Sequence, residues 1–126
     1  TRESDSTVIR LASHLIEEAH RERASDIHIE PCSLSKQTVI RFRVDGQCFE
    51  YQKVALSIAR PLVTRFKIMA SLDISERRRP QDGKIRTRLS GREIELRVST
   101  IPSVRGNEDL VLRLLAPEDL RRWPRI

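Results

Sequence analysis

Aromatic side chains are scarce in this chain of 126 residues, which contains one Trp, one Tyr and three Phe. Proteins that bind RNA by stacking its bases depend on such side chains, so this class of function is disfavoured. No apolar run approaches the roughly 20 residues that a membrane-spanning helix needs. Residues 1–5 lack the basic and apolar segments of a signal peptide. Because the first residue is not Met, we expect an excised or processed chain.

Several signatures of catalysis and metal binding are also missing. Cys32 and Cys48 follow neither a Cys-x-x-Cys nor a zinc-finger spacing, which predicts two reduced thiols in a cytosolic protein. The chain has no G-x-x-x-x-G-K-[ST] phosphate-binding loop, no G-x-S-x-G turn and no H-E-x-x-H motif. We therefore expect no nucleotide hydrolysis by this chain alone, and we place no catalytic residue and no metal site in it.

Charged residues, by contrast, are plentiful. They make up 33% of the chain against 38% hydrophobic residues, a balance typical of a folded globular protein. The length predicts a single domain over residues 1–126. The net charge of +6 and the pI near 10.1 predict attraction to phosphate groups, whether of nucleic acid, lipid or nucleotide.

Hydrophobic periodicity predicts two helices and six strands. The first helix is expected from Ser6 to Arg23, and the second along Ile58, Leu62, Phe66 and Met69 with Pro61 in its first turn. Strands are expected at 26–30, ended by Pro31, and at 38–44, 47–53, 84–89, 93–99 and 110–115. Turns are expected at Asp45-Gly46, Asp82-Gly83 and Ser90-Gly91. Because short turns join antiparallel strands, the fold class is an α+β sandwich with two main helices on a mainly antiparallel sheet.

A polar triplet on the first strand has side chains of the types that bind metals. Asp26, His28 and Glu30 would share one face, but side chains on a strand stand about 7 Å apart and do not converge on one ion. A polar edge that faces solvent or a partner is the favoured interpretation. His14 and His20 lie on the first helix without a ligand partner and are interpreted as ordinary surface or boundary residues.

A basic loop at Arg77, Arg78 and Arg79 is the second candidate site. Consecutive arginines beside a turn are able to bind phosphate or nucleic acid, although such a run is as often a solvated surface.

Two arginines on strands form the third candidate. Arg97 is expected on the outward face of a strand whose inward residues are Ile94, Leu96 and Val98. Arg113 interrupts an apolar stripe between Val111 and Leu115. Because an arginine there is costly to desolvate, it requires an acidic partner or an anion. Two interpretations remain open: a salt bridge to Glu93, Glu95 or Asp109, or a pair of guanidinium groups offered to phosphate oxygens.

Several motifs together resemble a known family, the hexameric ATPases of type II secretion and type IV pilus assembly. They are ASDIHIEP at 24–31, RFRVDG at 41–46, RFKIMASLDI at 65–74, RPQDG at 79–83, LRVSTIPS at 96–103 and LRLL at 112–115. They occur in the order and nearly the spacing of that family, and the resemblance extends from Thr7 to Leu115. The chain is similar to the second N-terminal domain of these enzymes.

This resemblance implies a PAS-like α/β domain joined to a RecA-like ATPase domain, which this chain does not include. In the family, ATP binds the P-loop of the RecA-like domain and the N-terminal domain closes over it, with arginines corresponding to Arg97 and Arg113 reaching the phosphates. ATP and Mg would be held mainly by the missing domain, with no cofactor for this chain alone. The implied partners are that domain, neighbouring subunits of a hexamer and, indirectly, the inner-membrane platform. The implied location is cytoplasmic, peripheral to the bacterial inner membrane.

Departures from the family pattern are limited. The stretch 106–109 is one residue longer than the usual Gly-Glu turn, which could shift Arg113 relative to Arg97. Lys84 replaces the usual Arg, so it keeps the charge but loses the bidentate fork. The tail at 118–126, with Arg121, Arg122 and Trp123, does not match clearly. The alternative function is a freestanding PAS-like ligand sensor or nucleic-acid-binding module, although the resemblance itself implies no nucleic-acid partner.

Overall fold

The structure is a computed structural model that describes residues 2–115, so the tail with Arg121, Arg122 and Trp123 lies outside the described residues. Two helices and six strands follow one another in the order α1, β1, β2, β3, α2, β4, β5, β6. Their bounds are Arg2–Arg21 for α1, Asp26–Cys32 for β1, Gln37–Val44 for β2, Gln47–Ala55 for β3, Leu56–Met69 for α2, Gln81–Leu89 for β4, Arg92–Pro102 for β5 and Glu108–Leu115 for β6. A short 3-10 turn, Val104–Gly106, precedes β6.

All six strands form one antiparallel sheet in the order β3-β2-β1-β6-β5-β4. Chain neighbours pair through short turns, and the two halves of the sheet are joined by β1 and β6 at its centre. The predicted α+β sandwich, two helices on an antiparallel sheet, is confirmed.

The core lies between the helices and one face of the sheet. Leu15 of α1 and Phe66 of α2 are fully buried, as are Ile27, Ile29 and Leu112 on the strands beneath them. Each such side chain contributes about 1.5–3 kcal/mol through burial. The opposite face of the sheet carries polar side chains and no helix from the described residues; we call it the open face.

Two of the three predicted turns are confirmed. Asp45 and Gly46 have φ of 52° and 80° between β2 and β3, and Ser90 and Gly91 have φ of 52° and 76° between β4 and β5. Two consecutive residues with positive φ match the right-handed twist of a hairpin.

The turn predicted at Asp82-Gly83 is wrong, because both residues lie inside β4. Gly83 pairs with Val98, and a Cβ atom at this position would lie 2.9 Å from Leu72 Cδ2 and 3.0 Å from the Ala70 carbonyl oxygen. Glycine is therefore needed here because the chain that follows α2 passes too close to β4 to leave room for a side chain.

Both predictions about prolines also need correction. Helix α2 begins at Leu56, so Pro61 is its sixth residue and lies in the second turn rather than the first. Strand β1 continues through Pro31 to Cys32. Beyond Ile29, β1 pairs only with β2, so a residue without an N–H group is tolerated there.

Neither helix within residues 2–115 is both long and apolar enough to cross a membrane.

Candidate functional site

A line of charged residues crosses the open face at one level of the sheet. Lys84 lies opposite Arg97, Arg97 opposite Arg113, Arg113 opposite Asp26, and Asp26 opposite Arg43. We call these five residues the charge row. It combines four cations with one anion, and directly opposed positions on neighbouring strands have Cβ atoms only about 5 Å apart. The row therefore concentrates positive charge on the open face.

Arg97 has the orientation that the alternating pattern predicts. It is exposed, whereas its neighbours Leu96 and Val98 are buried. Within residues 2–115, the Arg97 guanidinium has no ion-pair partner. Its donors are consequently available to an external anion.

Arg113 is held by an acidic residue that the sequence did not indicate. Its Nε lies 3.2 Å from Oδ1 of Asp26, a salt bridge in which the aspartate side chain is 7% exposed and the arginine 66%. The predicted partners Glu93, Glu95 and Asp109 are wrong. Asp109 lies four residues away on the same strand, about 13 Å along it, and Glu95 faces Arg86 at 3.5 Å instead.

Asp26 is the centre of the charge row. Its Oδ2 accepts a hydrogen bond from Ser25 Oγ at 2.8 Å and lies 3.7 Å from Nε of Arg43. Arg43 in turn donates from Nη1 to the Gly46 carbonyl oxygen at 2.9 Å. The buried carboxylate therefore has a partner on each oxygen, as a buried charge requires.

A groove of about 490 Å³ lies along this part of the open face. Lys84, Arg97 and Arg113 line it, together with Asp82 and Ser99. The Ser99 hydroxyl donates to the Asp82 carboxylate at 2.6 Å, which satisfies that acid within the wall. Three cations around a groove of this size suit a ligand that carries several phosphate oxygens.

The register between β5 and β6 sets the position of Arg113 relative to Arg97 in this chain. Pairing is continuous from Glu95 to Pro102 without a bulge, and it sets Arg97 directly opposite Arg113. The segment between the strands is taken up by the Val104–Gly106 turn, where Arg105 and Gly106 have positive φ. The two arginines therefore lie side by side.

The polar triplet of β1, Asp26, His28 and Glu30, does not form the exposed polar edge that the sequence predicted. Strand β1 lies at the centre of the sheet rather than at an edge. Asp26 is buried in the charge row, Glu30 accepts from Arg41 Nε at 2.8 Å, and His28 is half-buried. In the part of the chain that the structure describes, no three His, Cys, Asp or Glu side chains group together as metal ligands.

The basic loop lies apart from the groove. Arg77, Arg78 and Arg79 are exposed, and Arg77 lines a separate small cavity beside Glu108. The loop is anchored by Lys67, whose Nζ donates to the Glu76 carbonyl oxygen at 2.7 Å. The structure therefore joins Arg97 and Arg113 in one site and does not add the loop to it.

The fold and the groove define an α+β domain with a basic groove on the open face of its sheet, and comparison with known proteins identifies the family. A family model described as "Type II/IV secretion system protein" matches residues 1–122. The chain therefore belongs to the type II/IV secretion system protein family.

Individual relatives agree with this assignment. The chain is 51% identical over 113 residues to the type II secretion system protein E of Pseudomonas aeruginosa, covering 90% of this chain and 22% of the relative. It is 48% identical over 113 residues to the type II secretion system ATPase E of Vibrio cholerae, with the same coverage. It is 42% identical over 118 residues to the type IV pilus assembly ATPase PilB of Myxococcus xanthus, covering 93% and 20%. The chain thus spans about a fifth of the length of these curated relatives.

Proposed function

We propose that this chain is a non-catalytic domain of a hexameric secretion or pilus assembly ATPase, which closes over ATP bound to the P-loop of a RecA-like domain. The observation that carries the proposal is the pair Arg97 and Arg113, directly opposed on the open face and lining one groove. Relatives named as ATPases of type II secretion and type IV pilus assembly support the class of parent enzyme.

The two arginines and Lys84 would bind phosphate oxygens from one side. A guanidinium group offers two parallel N–H donors to a phosphate, whereas Lys84 offers a point charge. ATP with Mg, held mainly by the P-loop domain, supplies the phosphoryl group that is cleaved. The arginines stabilise the negative charge on its phosphates as that charge shifts during cleavage.

Closure of the domain would couple the nucleotide to movement. While ATP is present, the groove has an anion to bind and the closed arrangement is favoured; once phosphate leaves, three cations lose that anion and the domain opens. Packing of this domain against neighbouring subunits of the hexamer would transmit the movement to protein secretion or pilus assembly at the cytoplasmic side of the inner membrane.

Substitution of each arginine in the full-length ATPase tests the proposal. Arg97→Ala and Arg113→Ala should each lower the rate of ATP hydrolysis by about tenfold or more, because each removes a donor from the shifting charge. Arg88→Ala is the matched control. Arg88 is likewise an exposed arginine on a strand, in this case β4, but it does not line the groove. Hydrolysis at the wild-type rate in both arginine variants would overturn the assignment.

A second measurement addresses the chain alone. The 126-residue protein should show no ATP hydrolysis above background, because it carries no P-loop. Hydrolysis that persists through purification and is lost on mutation of the charge row would contradict a purely supporting role.

A further inference from the structure

We infer that Asp26 is a positioning residue for Arg113: it fixes the arginine through Nε and leaves the two terminal nitrogens directed toward the bound anion. This inference rests on the proposed function, because it assigns the way in which one of the two arginines is oriented. It concerns a carboxylate on β1 that belongs to neither β5 nor β6.

The geometry of the contact is the first argument. Asp26 Oδ1 meets only Nε of Arg113, at 3.2 Å. A guanidinium group carries five N–H donors, four of them on the terminal nitrogens. Within residues 2–115, those four donors have no hydrogen-bond partner. One donor thus orients the side chain while the bidentate fork stays open.

The rigidity of Asp26 is the second argument. The residue is 5% exposed, and Ser25 and Arg43 hold its other oxygen. Arg43 is itself tied to the Gly46 carbonyl oxygen in the β2–β3 turn. The carboxylate is therefore a fixed support, whereas the arginine that it holds is 66% exposed.

Charge balance is the third argument. Arg97 and Arg113 are directly opposed, and like charges at such positions repel each other. Asp26 lies on the other side of Arg113 in the same row and is the only acid in it. The carboxylate offsets this repulsion before any phosphate is bound, so Arg113 does not swing away from Arg97. The long side chain therefore loses less conformational entropy when it reaches the negative charge that develops during cleavage.

Glu30 offers a matched control on the same strand. It also faces the open side of β1 and also accepts from an arginine Nε, that of Arg41, at 2.8 Å. Neither Glu30 nor Arg41 lines the groove. Asp26→Asn and Glu30→Gln each remove the charge of a β1 carboxylate that pairs with an arginine. Only Asp26→Asn weakens the contact that holds Arg113.

The test is a double-mutant cycle in the full-length ATPase, measured as kcat and KM for ATP hydrolysis. Asp26→Asn should lower kcat roughly fivefold to tenfold with KM changed by less than about twofold, because the arginine is less often in place when charge shifts. In the Arg113→Ala background, the same substitution should change kcat by less than about twofold. Glu30→Gln should leave both parameters at the wild-type values.

The outcomes separate this inference from the proposed function. If Arg113→Ala lowers hydrolysis but Asp26→Asn has no effect, or has its full effect without Arg113, the positioning role is overturned and the phosphate role of Arg113 stands. If Arg113→Ala hydrolyses ATP at the wild-type rate, the assignment of Arg113 fails and the inference fails with it. Non-additivity of the two substitutions supports both.

A measurement on the 126-residue chain keeps the inference testable if Asp26→Asn destabilises the larger enzyme. The Nε–H proton of Arg113 should give a slowly exchanging NMR signal in the wild-type chain. Ser25→Ala should weaken its protection, and Asp26→Ala, which removes the acceptor, should abolish it. An Arg113 Nε–H signal that is unchanged in Asp26→Ala would overturn the inference.

Discussion

Arg97 of β5 and Arg113 of β6 are paired directly opposite each other on the open face of the sheet. Opposed like charges reduce the stability of a sheet by a few tenths of a kcal/mol up to about 1 kcal/mol. The protein holds this arrangement with a single buried carboxylate on the neighbouring strand. The opposed pair therefore has a cost for the isolated fold, and the phosphate of the proposed function would offset that cost.

The two arginines should therefore have opposite effects on stability. Arg97→Ala removes a repulsion and should raise the free energy of unfolding by about 0.2–1 kcal/mol, an effect that shrinks in high salt. Arg113→Ala should lower it by about 1 kcal/mol, because Asp26 loses a partner. Urea denaturation of the 126-residue chain at low and high salt measures both. A destabilised Arg97→Ala chain would show that Arg97 has a supporting contact in the fold.

Arg113→Lys tests whether the shape of the guanidinium is required or only its charge. A lysine has one nitrogen, which is unable both to bind Asp26 and to present a fork to a phosphate. We expect the full-length Arg113→Lys enzyme to hydrolyse ATP nearly as slowly as Arg113→Ala. Lys84→Arg is the reciprocal change and should not lower the rate. An Arg113→Lys enzyme at the wild-type rate would mean that a point charge is sufficient.

The buried pair of Lys67 and Glu108 should be among the most sensitive sites for stability. Their side chains are 2% and 6% exposed, and Nζ lies 2.8 Å from Oε1 of the glutamate. Lys67→Met should lower the free energy of unfolding by about 3–5 kcal/mol, because it leaves the buried Glu108 carboxylate without its cationic partner. Lys67→Met combined with Glu108→Leu should recover much of that loss. Chemical denaturation measures the free energies of unfolding.

A surface pair provides the control for this experiment. Lys53 and Glu50 are 3.7 Å apart, and each side chain is 46% exposed. Lys53→Met should change stability by less than about 1 kcal/mol. A cost for Lys67→Met no larger than that of the surface control would contradict the role assigned to the buried pair.

Asp109 should make the protein less stable as the pH rises from acid toward neutral. Burial, and then the nearby charge of Glu30, raise the pKa of Asp109 above its ordinary value of 3.8. The folded state thus keeps a proton that the unfolded state has lost, so stability falls as pH rises from 3.8 through the folded pKa. Asp109→Asn should be more stable than the wild type at pH 7 and no more stable below pH 3.8.

Asp73 provides a comparison of opposite sign. Hydrogen bonds from the Ser75 side chain and backbone lower the pKa of Asp73. Its contribution to stability is present above pH 3.8 and is lost as the pH falls through the depressed pKa. Asp73→Asn should therefore be less stable than the wild type at pH 7. Denaturation of the wild type and of the two variants from pH 2 to pH 7 measures both effects. A difference from the wild type that does not change with pH would contradict the assignment for that residue.

Gly83→Ala tests the close approach inside β4. The added methyl group would lie 2.9 Å from Leu72 Cδ2 and 3.0 Å from the Ala70 carbonyl oxygen, so we expect a loss of about 1–3 kcal/mol. In a Leu72→Ala background, the loss from Gly83→Ala should be smaller but not zero, since the backbone oxygen remains. Thermal unfolding gives both values, and equal losses in the two backgrounds would exclude Leu72 as the obstacle.

Local patterns were sufficient to predict most of the fold. Alternation gave the inward and outward faces of β5, and with them the exposure of Arg97. Turn chemistry gave both hairpins with paired positive φ. The same reasoning misplaced Gly83 and Pro61, because a glycine or proline has more than one structural use and the choice depends on what packs against it.

The acidic partner of Arg113 could not be predicted in this way. Asp26 is 87 residues distant in the chain, and it becomes a neighbour only because β1 and β6 meet at the centre of the sheet. Asp109, the candidate acid nearest to Arg113 in sequence, is separated from it by the extension of β6, and Glu95 on β5 pairs with Arg86. Cross-strand register, which periodicity does not specify, decides which charges meet.

The central position of β6 also has a mechanical consequence. Arg113 is two residues from the end of β6, where the chain passes on to residues 116–126, whereas Arg97 lies in the middle of β5. Tension applied along the segment that follows would act on β6 in shear against both of its neighbours. Because Arg113 is paired with both Asp26 and Arg97, such shear would displace it from both residues and change the spacing of the two arginines along the groove.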